Sequence, residues 1–103
     1  MNKPDKRDIK RLRAIGHKLS PVVTVAGKGL TDAVLAELDR ALHDHELIKI
    51  KLAVGGRDAK AALTQDICER SAAKLVQSIG NVILILRNNP NPDPRLSNLL
   101  RPL

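Results

Sequence analysis

The tightest constraint on this chain is the run from Pro21 to His45, PVVTVAGKGLTDAVLAELDRALHDH, and the alternating segment LIKIKLAV that follows it. Val22, Val23 and Val25, with Thr24 among them, are β-branched residues that favour a strand. Gly27-Lys28-Gly29 then permits backbone angles that other residues avoid. Thr31 stands as a helix N-cap, with Asp32 well placed in the first turn. Leu30 and Leu35 have the spacing of a hydrophobic staple across that start. The helix runs to about Asp44, with Val34, Leu35, Leu38 and Leu42 as its apolar stripe. From 47 to 54, Ile48, Ile50, Leu52 and Val54 alternate with Lys49, Lys51 and Ala53, the period of a half-buried strand. Two strands joined by a crossover helix of this length favour parallel pairing and a right-handed connection. The unit points to an α/β fold.

The flanks complete the order. Residues 4–16 predict a first helix. Pro4 suits an early turn, Ile9, Leu12 and Ile15 recur near helical spacing, and Gly16 reads as the stop. After a Gly55-Gly56 turn, Asp58 caps a third helix to about Ala73, with Ala59, Ala62, Leu63 and Ile67 inward. LVQSI at 75–79 and VILIL at 82–86 read as strands, and the short Gly80-Asn81 link favours an antiparallel hairpin. VILIL is apolar on both faces, as a central or covered strand is. The expected fold is α/β, order α-β-α-β-α-β-β, with a small mixed four-stranded sheet packed by helices. At 103 residues the chain reads as one domain, 1–88. Residues 89–103 form a Pro/Asn-rich tail. Four of the six prolines lie from Asn88 onward, so this stretch cannot continue a sheet and is expected to be mobile, with docking of Leu96, Leu99 and Leu100 on the body or a partner as the competing expectation.

Charge narrows the partners. The chain carries 18 Lys and Arg against 11 Asp and Glu, a net charge of +7. The first 18 residues hold seven of the cations and only two of the carboxylates. Such concentration suggests a polyanion footprint, against the plainer reading of a solvated basic helix. There is no Phe, Tyr or Trp, which excludes base stacking on aromatic side chains. Charge, backbone amides and shape are what remain for nucleic-acid recognition. The single Cys68 excludes an internal disulfide and fits a reducing compartment. No apolar run approaches the ~20 residues of a membrane span. The charged start does not read as a secretory signal. A cytoplasmic protein is expected.

Catalytic motifs fail on spacing. A P-loop needs glycine five positions before the Gly27-Lys28 pair, where Val22 stands, and Ser or Thr after the lysine, where Gly29 stands. No G-x-G-x-x-G is present. Cys68 sits in a predicted helix without a nearby histidine and reads as a small packed residue. His43 and His45 lack further metal ligands and suit the negative end of a helix dipole. No convergent carboxylate pair is evident. No catalytic residue, cofactor, metal or small-molecule substrate is expected. The Gly-Lys-Gly turn before a helix start does suit an anion such as phosphate. The outer face of that helix, with Glu37, Asp39 and Asp44, repels phosphate, which confines binding to its start. A first helix antiparallel to the first strand can bring Lys6, Lys10 and Arg13 back towards Lys28.

SPVVTVAGKGLTDAVLAELDRALHDHELIKIKL resembles the YhbY family of bacterial RNA-binding proteins, the single-domain form of the CRM (chloroplast RNA splicing and ribosome maturation) domain. The similarity runs from about Ile9 to Arg87, is dense over Lys18–Leu52, and resumes at LVQSIG. It implies a fold like the C-terminal domain of bacterial translation initiation factor 3. It implies RNA binding through a GxxG loop and a role in assembling the large ribosomal subunit. Two positions depart from the family. The first glycine of the loop is Ala26 here, and alanine takes positive φ poorly, which would pass that role to Gly27. Asn81 stands where many relatives have lysine.

The expectation is therefore a non-catalytic, monomeric RNA-binding protein whose partner is ribosomal RNA in large-subunit precursors. Lys28 would reach a phosphate, cradled by backbone N–H groups from Gly27, Gly29, Leu30 and the Thr31 helix start. Lys10, Arg11, Arg13 and Lys18 would extend the surface, with Lys49 and Lys51 added if their sheet face is open. The competing expectation is a protein-interaction factor of the ribosome or translation machinery, using the basic first helix for an acidic partner.

Overall fold

A computed structural model describes residues 6–103, with side chains from Asp8 onward. The elements are α1 (Lys6–His17), β1 (Pro21–Ala26), α2 (Asp32–His45), β2 (Leu47–Ala53), α3 (Arg57–Ser71), β3 (Lys74–Ile79) and β4 (Val82–Leu86). They form one mixed sheet in the order β1-β2-β4-β3. β1 pairs in parallel with β2, while β4 runs antiparallel to both its neighbours. Both crossovers, β1-α2-β2 and β2-α3-β3, step the same way across the sheet. A common hand therefore sends α2 and α3 to one face, and α1 takes the other.

The two faces of the sheet carry separate cores. On the first, Val23, Val25, Ile48, Ile50, Leu52, Ile83 and Ile85 bury against Leu38 and Leu42 of α2 and Ile67 of α3. On the second, Leu47, Val76, Leu84 and Leu86 bury beneath Leu12 of α1, with Ile15 alongside. β4 is apolar on both faces because it is central and covered twice. Gly80, at φ 56, opens the two-residue turn between β3 and β4, the conformation glycine supplies at the first position of such a hairpin. Among the described residues no helix is long and apolar enough to cross a membrane.

Several boundaries differ from expectation. Pro4 lies outside the described residues. Gly16 does not stop α1, which continues to His17. It is the contact point with the sheet instead: a Cβ there would lie 2.5 and 2.9 Å from the two terminal methyls of Leu84. Gly56, not Asp58, is the N-cap of α3, at φ 85 and without a side-chain cap. Ala59 and Ala62 are exposed rather than inward. Alanine marks no face by itself, and Leu63, Ile67 and Cys68 mark the side of α3 that meets the core.

The largest correction concerns the tail. Residues 88–103 pack on the body, and Ser97 and Asn98 are buried. Their polar groups find partners at the junction of α2 and β2. Glu46, buried at φ 61, accepts from Ser97 Oγ at 2.7 Å and from the Asn89 amide at 2.7 Å. Asn98 donates through Nδ2 to the Leu47 carbonyl at 2.7 Å and through its amide to the His45 carbonyl at 2.9 Å. The prolines do bar a fifth strand. They do not bar an irregular segment whose polar groups are satisfied one by one.

Candidate nucleic-acid interface

The Gly-Lys-Gly turn sits at the carboxyl end of β1. The Gly29 amide donates to the Ala26 carbonyl at 2.9 Å, closing a tight turn with Lys28 exposed at its tip. Gly29 carries the positive φ, 71, so the role passed to Gly27 belongs to Gly29. Ala26 ends the strand, with no left-handed angle, and its methyl group is accommodated. Thr31 caps α2 as its sequence position requires, its Oγ1 accepting from the Val34 amide at 3.2 Å. The carbonyl of Leu30 accepts from Arg70 of α3 at 3.1 Å, which braces the turn from behind.

The supply of free amides is narrower than expected. Gly29 N–H is committed within the turn, and Thr31 N–H donates to the Gly29 carbonyl at 3.1 Å. Lys28 and Leu30 have no intramolecular acceptor among the described residues. The first-turn amides of Asp32 and Ala33 are free by helix geometry. Those four groups, with the Lys28 ammonium, are what the turn can offer an anion.

Beside the turn, half of one sheet face is uncovered. Pairing aligns Thr24, Lys51, Val82 and Ile79 in one row across the strands. The row below holds Pro21, Lys49, Leu84 and Gln77. α1 packs over the lower end of this face, against β2 and β3, and stops short of the upper row. Thr24 and Lys51 are exposed, and Ile79 is 64% exposed. A cleft of about 400 Å³ opens there, with Arg13 and His17 of α1 on one wall and Lys49 and Gln77 on the other. From Lys49 to Ala53 the open strip runs roughly 13 Å at ~3.3 Å per residue.

The sequence-selected cations divide into groups. Lys51 stands on the open strip, Lys49 and Arg13 border it, and Lys28 tops the turn at its upper end. Lys18 belongs to a separate cleft below. Arg11 turns to the tail, donating to the Leu99 carbonyl at 3.0 Å. Lys10 is exposed on α1, and the Lys6 side chain lies outside the described residues. α1 rests on β2 and β3 across the sheet from α2, so it does not carry its early residues up to Lys28. Thr24, His17 and Gln77 were missed. Strand alternation places Thr24 and Gln77 on the lysine face, and His17 needed only a longer first helix.

Electrostatics favour this face. Among the described residues, ion pairs join Arg87 to Asp39 at 2.5 Å, Arg70 to Asp66 at 3.9 Å and Arg95 to Asp93 at 3.2 Å. None uses Lys28, Lys49, Lys51, Arg13 or Lys18. Burial pushes the Cys68 thiol above its ordinary value, which keeps it protonated at neutral pH. No group of three His, Cys, Asp or Glu suited to a metal ion occurs among the described residues. His45 is engaged by the tail, Nδ1 lying 2.9 Å from the Leu96 carbonyl oxygen.

Fold and site together define a small basic α/β domain, with a mixed sheet covered by two helices on one face and half-covered by a third on the other. The profile of the CRS1 / YhbY (CRM) domain matches residues 5–87, and the chain belongs to that family. It is 54% identical over 92 residues to a Pseudomonas aeruginosa protein named "Probable RNA-binding protein", a match covering 89% of this chain and 88% of the relative. It is 42% identical over 76 residues to a Haemophilus influenzae protein named "RNA-binding protein", covering 74% and 77%. A solution structure of a Staphylococcus aureus protein, described as a candidate RNA-binding protein, superposes with a TM-score of 0.74 at 26% identity. That match covers 86% of this chain and 93% of the other.

Proposed function

We propose that this chain is a non-catalytic RNA-binding protein that acts, as a cytoplasmic monomer, on ribosomal RNA in large-subunit precursors. The observation that carries the reading is the open half of the sheet, where Lys51, Lys49 and Arg13 have no carboxylate partner among the described residues. Membership of the CRM family and the names of its relatives support RNA as the polyanion. The ribosomal role rests on the family resemblance. Recognition is by phosphate contact and shape, because the chain has no aromatic side chain to stack on a base. Lys28 and the free amides of the turn hold one phosphate. The cations of the strip hold the neighbouring backbone.

The test is fluorescence anisotropy with a labelled structured RNA across a range of salt. Lys28→Glu and Lys51→Glu should each weaken binding, and each lost contact should lower the log–log salt slope by roughly 0.7–0.9. Unchanged affinity and slope in both variants would refute the assignment of this surface. Sedimentation of cell lysate tests the ribosomal role separately. Migration with large-subunit precursors is expected, and migration with no ribosomal particle would remove that part alone. A second reading, a docking factor for a protein partner, is favoured by the exposure of Leu96 and Leu100 on the tail. It predicts ribosome association that survives both lysine substitutions.

A further inference from the structure

We infer that the C-terminal segment, residues 88–103, builds a second phosphate-binding groove at the amino end of the sheet, in which Arg101 and Lys18 grip the backbone of the same RNA. The inference rests on the RNA-binding reading above. It adds a surface made by residues outside the matched span of 5–87.

The groove exists only because the tail is docked. A cleft of about 330 Å³ lies between the start of β1, β2 and the tail, with Lys18, His45, Lys49 and Arg101 on its walls. A second cleft of about 300 Å³ shares Lys18, Asn98 and Arg101 with it and adds Arg11. On the other side, Lys49 joins the first cleft to the one beneath the open strip. Three clefts thus share cationic walls, and among the described residues no Asp or Glu side chain lines any of them. A linear polyanion fits such a string of sites better than a compact acidic protein surface does.

Arg101 is held in place for this work. Its Nε donates to Asn98 Oδ1 at 2.7 Å, and Asn98 is itself fixed by the backbone of His45 and Leu47. The Arg101 amide closes a helical turn on the Ser97 carbonyl at 2.8 Å. The terminal guanidinium nitrogens are left without a partner among the described residues. A planar fork presented in this way suits a phosphate, and its orientation is already ordered before binding. By contrast, Arg95 of the same segment is spent on Asp93.

The test is anisotropy with a fluorescein-labelled RNA stem-loop and a potassium chloride titration, on the full chain and its variants. Arg101→Ala should weaken binding about 3–10-fold at ~0.1 M salt and lower the salt slope by roughly 0.7–0.9, the signature of one lost phosphate contact. Arg101→Lys keeps the charge and should hold the slope. If Lys28→Glu weakens binding while Arg101→Ala keeps the parental affinity and slope, the tail groove is wrong and the loop stands. If Arg101→Ala weakens binding and Lys28→Glu does not, the groove stands without the loop. If the parent protein binds the stem-loop without salt dependence, or not at all, the RNA-binding reading itself falls.

Discussion

Glu46 offers the sharpest test of how the molecule is held together. Its carboxylate accepts two hydrogen bonds from the tail, one from the buried Ser97 hydroxyl and one from the Asn89 amide. Glu46→Ala leaves both donors without a partner, at about 1–3 kcal/mol each. The sum, about 2–6 kcal/mol, is an upper bound for two reasons. Removing the carboxylate also removes the desolvation it suffers on burial. The tail can also lift off and hydrate its donors, so the loss cannot exceed the free energy of docking. We expect about 2 kcal/mol. Glu46→Gln behaves differently, because the amide oxygen can accept from Asn89 while its NH₂ group donates to a rotated Ser97 hydroxyl. Only charge assistance is lost, about 1 kcal/mol. Lacking Trp, Tyr and Phe, the protein should be followed by far-ultraviolet circular dichroism in urea. Amide exchange at Asn98 and Arg101 reports the tail directly. The alanine variant should lose protection there first. If both variants match the parent in stability and in tail protection, the carboxylate is not the anchor.

Three further outcomes follow from the geometry. Gly16→Ala gains helix propensity of about 1 kcal/mol but drives a methyl group into Leu84, and overpacking costs about 1–3 kcal/mol. A net loss near 1 kcal/mol in urea unfolding is expected, and a more stable variant would show that α1 does not rest on Leu84. Gly29→Ala forces alanine to a φ of 71 and should lose about 1–2 kcal/mol. Gly27→Ala meets nothing within 4 Å and should be neutral or gain about 0.5 kcal/mol by restricting the unfolded chain. The reverse ranking in thermal melts would overturn the turn geometry. Because burial raises the Cys68 thiol, its alkylation rate should reach half-maximum at higher pH than that of a free cysteine. A midpoint at or below the free value would contradict that burial.

Strand and helix periodicity made most of the fold legible. Val23 and Val25, Ile48 to Leu52, and the doubly apolar β4 follow patterns of period two that tertiary contacts then respect. The tail was not legible, for a physical reason. Its order depends on Glu46 adopting a positive φ that glutamate rarely takes, which exposes the carbonyls of His45 and Leu47 to Asn98. No local pattern in NNPNPDPRLSNLL encodes an acceptor some fifty residues earlier. Gly16 was misread for a related reason. A glycine near a helix end signals a stop by propensity, whereas this one marks a close approach visible only against Leu84. In the candidate site, Lys28, Lys49, Lys51 and Arg13 were found by charge and alternation. Arg101 was out of reach because its position is inherited from the tail.

The open face is a consequence of the sheet order. Both crossovers step in one direction, so one face receives α2 and α3 and the other must make do with α1. Four strands ~4.8 Å apart span roughly 14 Å, and β2 is about 23 Å long at ~3.3 Å per residue. A single helix ~10 Å across, laid over the lower rows, covers less than half of that length. The remaining half must be soluble without a cover. An apolar solution would expose a patch inviting aggregation or a protein partner. Here Thr24, Lys49, Lys51 and Gln77 occupy it instead, and Ile79 and Val82 are the apolar exceptions at the hairpin end. Polar rows solve the solubility problem, but alternating Thr or Gln would do so equally well. Lysines at both 49 and 51, without a carboxylate partner among the described residues, repel each other in the free protein. An anion laid along the strip would relieve that repulsion, and Lys49 shares its cleft with Arg13 and His17 on the edge of the covering helix. On the proposed reading, the topology that leaves the face open also sets the direction in which a phosphate backbone would lie, from the Lys28 turn down towards α1 and the docked tail.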